Sequence, residues 1–243
     1  MQRHLEWDGC TNARDLGGYA TADGRETRWG AVLRSGHLAG MTAAGQAALV
    51  AQGVRTIVDL RMPAELLIDP NPFATAGAHS VSYANISFLD PAIQPATDTA
   101  SLAENYKRDL ELHSRNVGAI IIAIARAPEG GVLIHCAAGK DRTGMICAML
   151  LELAGVPRAT IGADYALSEE CLRDRTAVWL EHGPGERAER ELQIAWSRPR
   201  AEVILEVLEH LDARYGGAAA YLLAAGVAPE NLARLRERLV ELP

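Results

Sequence analysis

One short stretch, residues 131–144, constrains the fold more than any other part of this 243-residue chain. It reads Gly-Val-Leu-Ile-His-Cys-Ala-Ala-Gly-Lys-Asp-Arg-Thr-Gly and continues into the apolar residues 145–151. This order predicts a buried strand, a tight loop and then a buried helix, which we expect over residues 143–153. Upstream, a helix pattern over residues 43–52 precedes a β-rich run at 55–60. The alternation of strands and helices indicates an α/β sheet.

The loop places Cys136 and Arg142 at its opposite ends. Small residues between a strand and a helix N-terminus let successive backbone N–H groups converge, which forms a cradle for an anion such as phosphate. The partial positive charge of such a cradle, together with Arg142, favours a thiolate and would activate Cys136 as a nucleophile. The structural alternative is a buried cysteine that packs as a small hydrophobe beside an ordinary ion pair.

The composition limits the kinds of ligand that the chain attracts. Hydrophobic residues make up 49% and charged residues 23%, and the net charge is −7. These are globular values, and the acidic balance gives no basic footprint for nucleic acid or an anionic membrane. Attraction for an anionic substrate must therefore be local, and it would come from the loop amides, Lys140 and Arg142.

The cysteines and histidines indicate neither a metal site nor a disulfide framework. The four cysteines and seven histidines have no metal-ligand spacing, so we expect no metal and no cofactor. The N-terminus lacks the apolar core of a signal peptide, and the longest apolar run, residues 117–125, is too short to span a bilayer. We expect a cytoplasmic protein without a membrane span, although export by specialised machinery would leave no such signal.

The loop residues resemble a known family. His135 and Cys136, five further residues, Arg142 and Thr143 match the signature of the cysteine-dependent protein tyrosine phosphatases at every defining position. The interior, residues 139–143, resembles the atypical bacterial tyrosine and lipid phosphatases, the branch that includes mycobacterial phosphatase B. This resemblance implies a tyrosine-phosphatase-like fold with a central, mostly parallel sheet flanked by helices.

The resemblance extends over nearly the whole chain. Four other segments are similar to motifs of the same family: residues 12–18, residues 33–35, residues 59–65 and residues 163–168. By composition alone, the first of these is a loop and the second an edge strand. Asp59 ends a predicted strand, so it would lie near Cys136 if the two strands are parallel. The alternative for Asp59 is a structural ion pair with Arg61.

We expect one phosphatase domain over residues 1–243, with three C-terminal helices over residues 199–242 acting as scaffold. Residues 169–198 are rich in charged residues and are interrupted at residues 182–185. In some family members the corresponding region covers the site, which suggests a mobile helical lid. The alternative is a solvated helix–loop–helix without a gating role.

The resemblance implies roles for the loop residues. Cys136 would attack phosphorus and form a phosphocysteine intermediate, which water then hydrolyses. Arg142 would hold two phosphate oxygens, together with the backbone of Ala137, Ala138, Gly139, Lys140 and Asp141. His135 would fix the loop through hydrogen bonds, and Thr143 would donate its hydroxyl to the thiolate in the second step.

The leaving group needs a proton, and the chain has no Trp-Pro-Asp tripeptide to supply it. In the branch resembled here, the aspartate before the loop arginine is the candidate acid, which is Asp141. The alternative for Asp141 is a structural carboxylate that accepts loop N–H bonds, and Asp59 and Asp90 are reserve candidates.

Lys140 adds a cation that suits a second phosphate on the substrate. The resemblance therefore implies a phosphorylated protein or a phosphoinositide as substrate, with phosphotyrosine placed first and phosphoserine or phosphothreonine as further possibilities. Two other functions are weighed against a phosphatase: a non-catalytic phosphate-binding module, and a thiolate enzyme such as an arsenate reductase or a rhodanese-like sulfurtransferase. The loop and the outlying motifs favour the phosphatase.

Overall fold

The structure is a computed structural model, and it describes residues 2–75, 80–93 and 100–240. The strands in these residues are β1 Arg14–Asp15, β2 Val32–Ser35, β3 Val54–Asp59, β4 Ser82–Asn85 and β5 Gly131–His135. The helices are α1 Ala43–Ala51, α2 Pro63–Ile68, α3 Leu102–Leu112, α4 Ser114–Arg126, α5 Asp141–Leu153, α6 Arg158–Cys171, α7 Arg173–His182, α8 Arg187–Trp196, α9 Ala201–Tyr215, α10 Ala218–Ala224 and α11 Pro229–Leu239.

The strands form one mixed sheet in the order β1-β2-β5-β3-β4, with β5 at its centre. β2 and β3 run parallel to β5, β4 runs parallel to β3, and the short edge strand β1 is antiparallel. The predicted α/β class with a mostly parallel sheet is confirmed. Ser35 and Asp59 both pair with His135 in register, so three strands end at the same edge of the sheet.

Both faces of the sheet are covered, which is why the central strand is apolar throughout. On one face Leu133 of β5 belongs to a cluster with Ile57 and with Leu49 of α1. On the other face Val132 and Ile134 belong to the larger cluster, which includes residues of α4, α5 and α9. The alternation of strand side chains thus divides the core into two layers.

α5 is buried on nearly every side, and it contacts α6, α9, α10 and α11. It begins at Asp141, two residues before the predicted start. Asp141 and Arg142 therefore lie in the first helical turn, where a carboxylate interacts favourably with the positive end of the helix dipole. At the other end Gly155 adopts a positive φ of 79° and terminates the helix, as expected.

The helical segment that precedes β5 is divided in two. α3 ends and α4 begins on either side of His113, whose Nδ1 accepts a hydrogen bond from the Asp90 amide at 3.1 Å. From Ser101, the sequence pattern predicts one helical segment that ends before Pro128. It does not reveal the division at His113, because a single break between two helices leaves hydrophobic periodicity almost unchanged.

Residues 169–198 form the end of α6 and the helix pair α7–α8. No residue of α7 is buried, and in α8 only Arg190 is. The three helices predicted after residue 199 are present as α9, α10 and α11. No helix in the described part of the chain combines the length and apolarity that crossing a membrane would need.

Gly118 of α4 generates a prediction about this packing. A Cβ at this position would lie 2.4 Å from the carbonyl oxygen of Ala225 at the end of α10. Replacing a helical glycine by alanine ordinarily stabilises a protein by about 0.5–1 kcal/mol. Here we expect Gly118→Ala to lower the free energy of unfolding by about 1–3 kcal/mol, because a backbone carbonyl must move. Urea unfolding measures this change.

Ala119 is the control, since it is the neighbouring exposed position on the same helix. Ala119→Gly should cost only the helix propensity, about 1 kcal/mol. A Gly118→Ala variant as stable as the wild type would contradict the close contact between α4 and α10.

Candidate active site

The loop between β5 and α5 lies at the edge where the parallel strands end. Cys136 follows β5 directly, and only 1% of its surface is exposed. Arg142 follows the loop in the first turn of α5. The structure thus places the predicted nucleophile and the predicted guanidinium at the two ends of one short turn.

The loop carbonyls are bound from outside the loop. Three successive carbonyl groups accept hydrogen bonds: Ala137 O from His37 N at 3.0 Å and Arg175 Nη1 at 2.8 Å, Ala138 O from Asn12 Nδ2 at 2.9 Å, and Gly139 O from Arg34 Nη2 at 2.8 Å. In a trans peptide the N–H points opposite to the C=O. The N–H groups that follow these carbonyls therefore face the inside of the loop, as an anion cradle requires.

Gly139 is the residue that permits this turn. Its φ is +66°, which glycine adopts without strain. A Cβ there would lie 2.2 Å from the carbonyl oxygen of Ser35 at the end of β2. The loop thus packs directly on the neighbouring strand, and no larger residue fits at this point.

A buried ion cluster holds the loop from behind. The Asp164 carboxylate accepts hydrogen bonds from Arg14 Nε at 3.0 Å and Arg34 Nη1 at 2.7 Å, and the Tyr19 hydroxyl donates to it at 2.9 Å. Burial favours the neutral acid, but the two guanidiniums dominate and hold the pKa of Asp164 well below its ordinary value. The cluster is therefore charged and internally compensated.

The charged residues of this cluster come from three of the four segments outside the loop that resemble family motifs. Arg14 also donates to the side-chain oxygen of Asn12, which orients the Asn12 amide toward Ala138 and Gly139. Arg34 links Asp164 to the carbonyl of Gly139. The motifs at residues 12–18, 33–35 and 163–168 thus converge on the loop. The resemblance to family motifs identified these segments, but it did not show that their side chains bind the loop.

Glu65, in the fourth motif, holds Arg142. Its carboxylate accepts two hydrogen bonds, from Arg142 Nη1 at 2.6 Å and Nη2 at 2.8 Å, and a third from the Met62 amide at 2.8 Å. Burial alone would raise the pKa of Glu65, but Arg142 lowers it further than burial raises it. A guanidinium has five N–H donors, so Arg142 has three N–H groups beyond the two that bind Glu65.

His135 is a neutral imidazole that supports the loop. Burial lowers its pKa to about 4. The Asn71 amide lies 3.0 Å from Nε2, and the Cys136 carbonyl oxygen lies 3.1 Å from Nδ1. An amide N–H can only donate and a carbonyl can only accept, so Nε2 accepts from Asn71 and Nδ1–H donates to Cys136.

Asp59 forms an ion pair with Arg61, which was the structural alternative to a role beside Cys136. Its Oδ2 lies 2.7 Å from Arg61 Nη2, 3.0 Å from the Tyr83 hydroxyl and 3.3 Å from His135 Nε2. Burial would raise the pKa of Asp59, but its hydrogen bonds with Arg61 keep the pKa below its ordinary value. The residue therefore lies behind His135 as a charged group paired with Arg61, and the Asn71 amide, which donates to Asp59 Oδ2 at 3.3 Å and to His135 Nε2, connects the two side chains.

The two other candidate acids lie in different places. Asp141 Oδ1 accepts a hydrogen bond from the Tyr106 hydroxyl and lies 3.4 Å from Lys140 Nζ. The Asp90 carboxylate instead accepts from the Ala92 amide at 2.9 Å, in the segment between β4 and α3. Of the two, Asp141 is the carboxylate adjacent to the loop.

The remaining loop residues differ in their hydrogen bonding. Lys140 Nζ donates to the carbonyl of Ser197, 2.6 Å away, just after α8. Thr143 Oγ1 is buried and has no hydrogen-bond partner within the described ranges. Over those same ranges, no group of three or more His, Cys, Asp or Glu side chains is arranged to hold a metal ion.

The fold is an α/β sheet with a buried cysteine at the start of the loop between its central strand and α5. The sequence model of the tyrosine phosphatase family matches residues 5–241. The chain belongs to this family, and it is accordingly an enzyme of the hydrolase class.

Two relatives illustrate the match. A tyrosine-protein phosphatase of Nostoc commune is 34% identical over 217 residues, which cover 86% of this chain and 74% of that protein. The triple specificity protein phosphatase PtpB of Mycobacterium tuberculosis is 26% identical over an alignment that covers 95% of this chain and 97% of that protein.

Asp164 generates a prediction about stability. Asp164→Asn would leave two guanidiniums buried without a countercharge, which costs about 3–5 kcal/mol at pH 7. Because the folded pKa of Asp164 is depressed, its contribution is present above about pH 4 and is lost as the pH falls. Urea unfolding at pH 7, 5 and 3 should therefore show the same difference between wild type and variant at pH 7 and pH 5, and a smaller difference at pH 3.

Asp23→Asn is the matched control, because Asp23 pairs with Arg25 at 2.6 Å on the exposed surface. Water screens an exposed pair of this kind, so we expect Asp23→Asn to change the free energy of unfolding far less than Asp164→Asn does. Equal losses in the two variants would contradict the role assigned to the buried cluster.

Proposed function

We propose that this protein is a cysteine-dependent phosphatase that hydrolyses phosphotyrosine through a phosphocysteine intermediate. One observation carries the proposal. Cys136 lies at the base of a loop whose carbonyls are bound from outside, so that its amides face inward, and Arg142 lies at the other end. This arrangement fits a dianionic phosphate ester beside a sulfur nucleophile.

In the first step the Cys136 thiolate attacks phosphorus, an S–P bond forms, and the bond from phosphorus to the leaving oxygen breaks. The inward amides and Arg142 stabilise the charge on the equatorial oxygens. Asp141 supplies the proton that the leaving oxygen takes. Glu65 holds the guanidinium in place, so that little reorganisation is needed when substrate binds.

In the second step water attacks the phosphorus of phosphocysteine. Asp141, now a carboxylate, takes a proton from that water, and Cys136 leaves as a thiolate while inorganic phosphate forms. The Thr143 hydroxyl has no other partner within the described ranges, which suits donation to the departing sulfur. Neither His135 nor Thr143 needs to change its protonation state.

Phosphotyrosine is the substrate that we place first, because the family and the Nostoc relative are named for it. Phosphoserine, phosphothreonine and phosphoinositides are the second candidates. The mycobacterial relative is named for triple specificity, and Lys140 adds a cation beside the loop. In the structure Lys140 is bound to Ser197, so it would reach a second phosphate only after that contact opens.

The test is hydrolysis of 4-nitrophenyl phosphate, followed by a panel of phosphotyrosine, phosphoserine and phosphoinositide substrates at matched concentrations. We expect turnover that chelators do not affect and that Cys136→Ser lowers by about 10³-fold or more, because the nucleophile is lost. Cys10→Ser is the matched control. The Cys10 thiol lies 3.7 Å from the Thr11 carbonyl oxygen, outside both the loop and residues 169–198, and its replacement should leave the rate unchanged.

No hydrolysis by the wild type, with phosphate still binding, would support the phosphate-binding module instead. Thiol-dependent reduction of arsenate or transfer of sulfur would support the third class of function.

We also propose that residues 169–198 are a lid over this site. Two contacts connect this segment to the loop: Arg175 Nη1 donates to Ala137 O, and Lys140 Nζ donates to Ser197 O. A cavity of about 210 Å³ lies between the segment and Lys140. Because α7 and α8 bury almost no side chain, they have little to hold them except these contacts.

Limited trypsin digestion with and without orthovanadate tests the lid. The arginines of α7 and α8 should be cleaved at a rate that changes by several-fold when the phosphate analogue binds, and Arg175→Ala should speed cleavage of the free enzyme. Exposed arginines of the C-terminal helices, Arg214 and Arg236, are the internal control. Unchanged cleavage within residues 169–198 would exclude a gating role.

A further inference from the structure

A chain of hydroxyl groups leads from the protein interior to Asp141. Tyr106 of α3 and Tyr165 of α6 are each 1% exposed, and their hydroxyl oxygens lie 2.8 Å apart. The Tyr106 hydroxyl donates to Asp141 Oδ1. Tyr106 has only one hydroxyl hydrogen, so Tyr165 is the donor in the bond between the two tyrosines. The order is Tyr165 to Tyr106 to Asp141.

Both tyrosine hydroxyl groups stay protonated and can therefore donate hydrogen bonds. Burial raises the pKa of Tyr106 and of Tyr165, and the neighbouring Asp141 charge raises both further. Their rings pack edge to face with centroids 6.3 Å apart, which fixes the direction of each hydroxyl. The donor that Asp141 meets is therefore protonated and rigid.

The two oxygens of Asp141 are not equivalent. Oδ1 accepts from Tyr106 and also lies 3.4 Å from Lys140 Nζ. Oδ2 is left as the oxygen that can carry a proton toward the leaving group. Arg142 and Asp109 of α3 are the other charged groups that interact with Asp141, and burial raises the pKa of Asp109 to about 6.

We propose that Tyr106, supported by Tyr165, is a positioning residue for the general acid. It binds Oδ1, presents Oδ2 to the leaving oxygen, and stabilises the carboxylate that forms when the proton leaves. This inference rests on the proposed function and on Asp141 as the acid, and it adds two residues that the loop sequence does not contain.

The hydrogen bond should act mainly in the transition state. A hydrogen bond to a carboxylate is about twice as strong as one to a neutral acid, so the bond from Tyr106 strengthens as Asp141 gives up its proton. Interactions that strengthen in the transition state accelerate the chemical step. The effect must depend on how much the leaving group needs a proton: a phenolate needs it, and a 4-nitrophenolate does not.

The experiment compares wild type and Tyr106→Phe on phenyl phosphate and 4-nitrophenyl phosphate. We expect kcat/KM for phenyl phosphate to fall by about 10- to 100-fold, and kcat/KM for 4-nitrophenyl phosphate by less than about 3-fold. This ratio covers only the steps up to loss of the leaving group, so it excludes the second step, in which Asp141 acts as a base on either substrate's phosphocysteine. The affinity for inorganic phosphate should not change, because the phosphate-binding groups are untouched.

Tyr221→Phe is the matched control. Tyr221 is also 1% exposed, and its hydroxyl donates to the carbonyl of Leu110 on the same helix, α3, at 2.7 Å. Its replacement removes a comparable buried hydrogen bond without touching Asp141. Both substrates should be turned over at the wild-type rate.

A double-mutant cycle with Asp141→Asn isolates the coupling. Asp141→Asn should slow phenyl phosphate hydrolysis by about 10²- to 10⁴-fold, and Tyr106→Phe should add nothing in that background. If Tyr106→Phe slows both substrates equally, or acts equally in the Asp141→Asn background, the positioning role is overturned. If Asp141→Asn shows no dependence on the leaving group, the acid assignment fails, and the inference fails with it.

Tyr165→Phe provides a second variant should Tyr106→Phe fold poorly. It removes the donor to Tyr106 and keeps the donor to Asp141. We expect the same preference for the poor leaving group, with a loss of about 2- to 5-fold. Equal effects on the two substrates would again overturn the proposal. Absence of any hydrolysis by the wild type would instead contradict the phosphatase function itself.

Discussion

The buried pairing of Asp164 with two arginines is the interaction on which the site depends. Arg34 donates a hydrogen bond to the Gly139 carbonyl. Arg14 orients the Asn12 amide, which donates to the carbonyls of Ala138 and Gly139. Because each of these carbonyl groups is bound from outside the loop, the N–H of the next residue faces the inside of the loop. A buried charge is tolerated when it is paired and fully hydrogen-bonded, and here the pairing also gives the loop its shape.

The proposed catalytic groups are held by separate partners on the other side of the loop. Glu65 fixes Arg142, the neutral His135 fixes the Cys136 carbonyl, and Tyr106 fixes Asp141. The arginines at this edge of the sheet are each paired with a carboxylate, and the net charge of the chain is −7. Local geometry, and not overall charge, makes this edge suitable for an anion.

Much of the fold was predictable from local patterns. The strand before Cys136, the helix after it, the Thr42-capped helix α1 and the three C-terminal helices occur where the sequence indicated. The exceptions are informative. α5 starts earlier than predicted because Asp141 suits a helix N-terminus. The division between α3 and α4 was not predicted, because one break at His113 hardly changes the hydrophobic periodicity of the sequence. Spacing identified Cys136 and Arg142 as candidates, since both belong to one short loop.

The sequence by itself determined the strand–loop–helix unit and the order of chemical groups along it, because these depend on neighbouring residues. Only the tertiary structure decided what surrounds that unit. Arg14 and Asp164 are 150 residues apart in the chain, and Tyr106 and Asp141 are 35 apart. Such pairs meet only because the parallel strands end at one edge and α3 and α6 pack beside α5. A turn depends on neighbouring residues, so its pattern can be detected in the sequence. A contact made by packing has no fixed separation along the chain, so no sequence pattern reveals it.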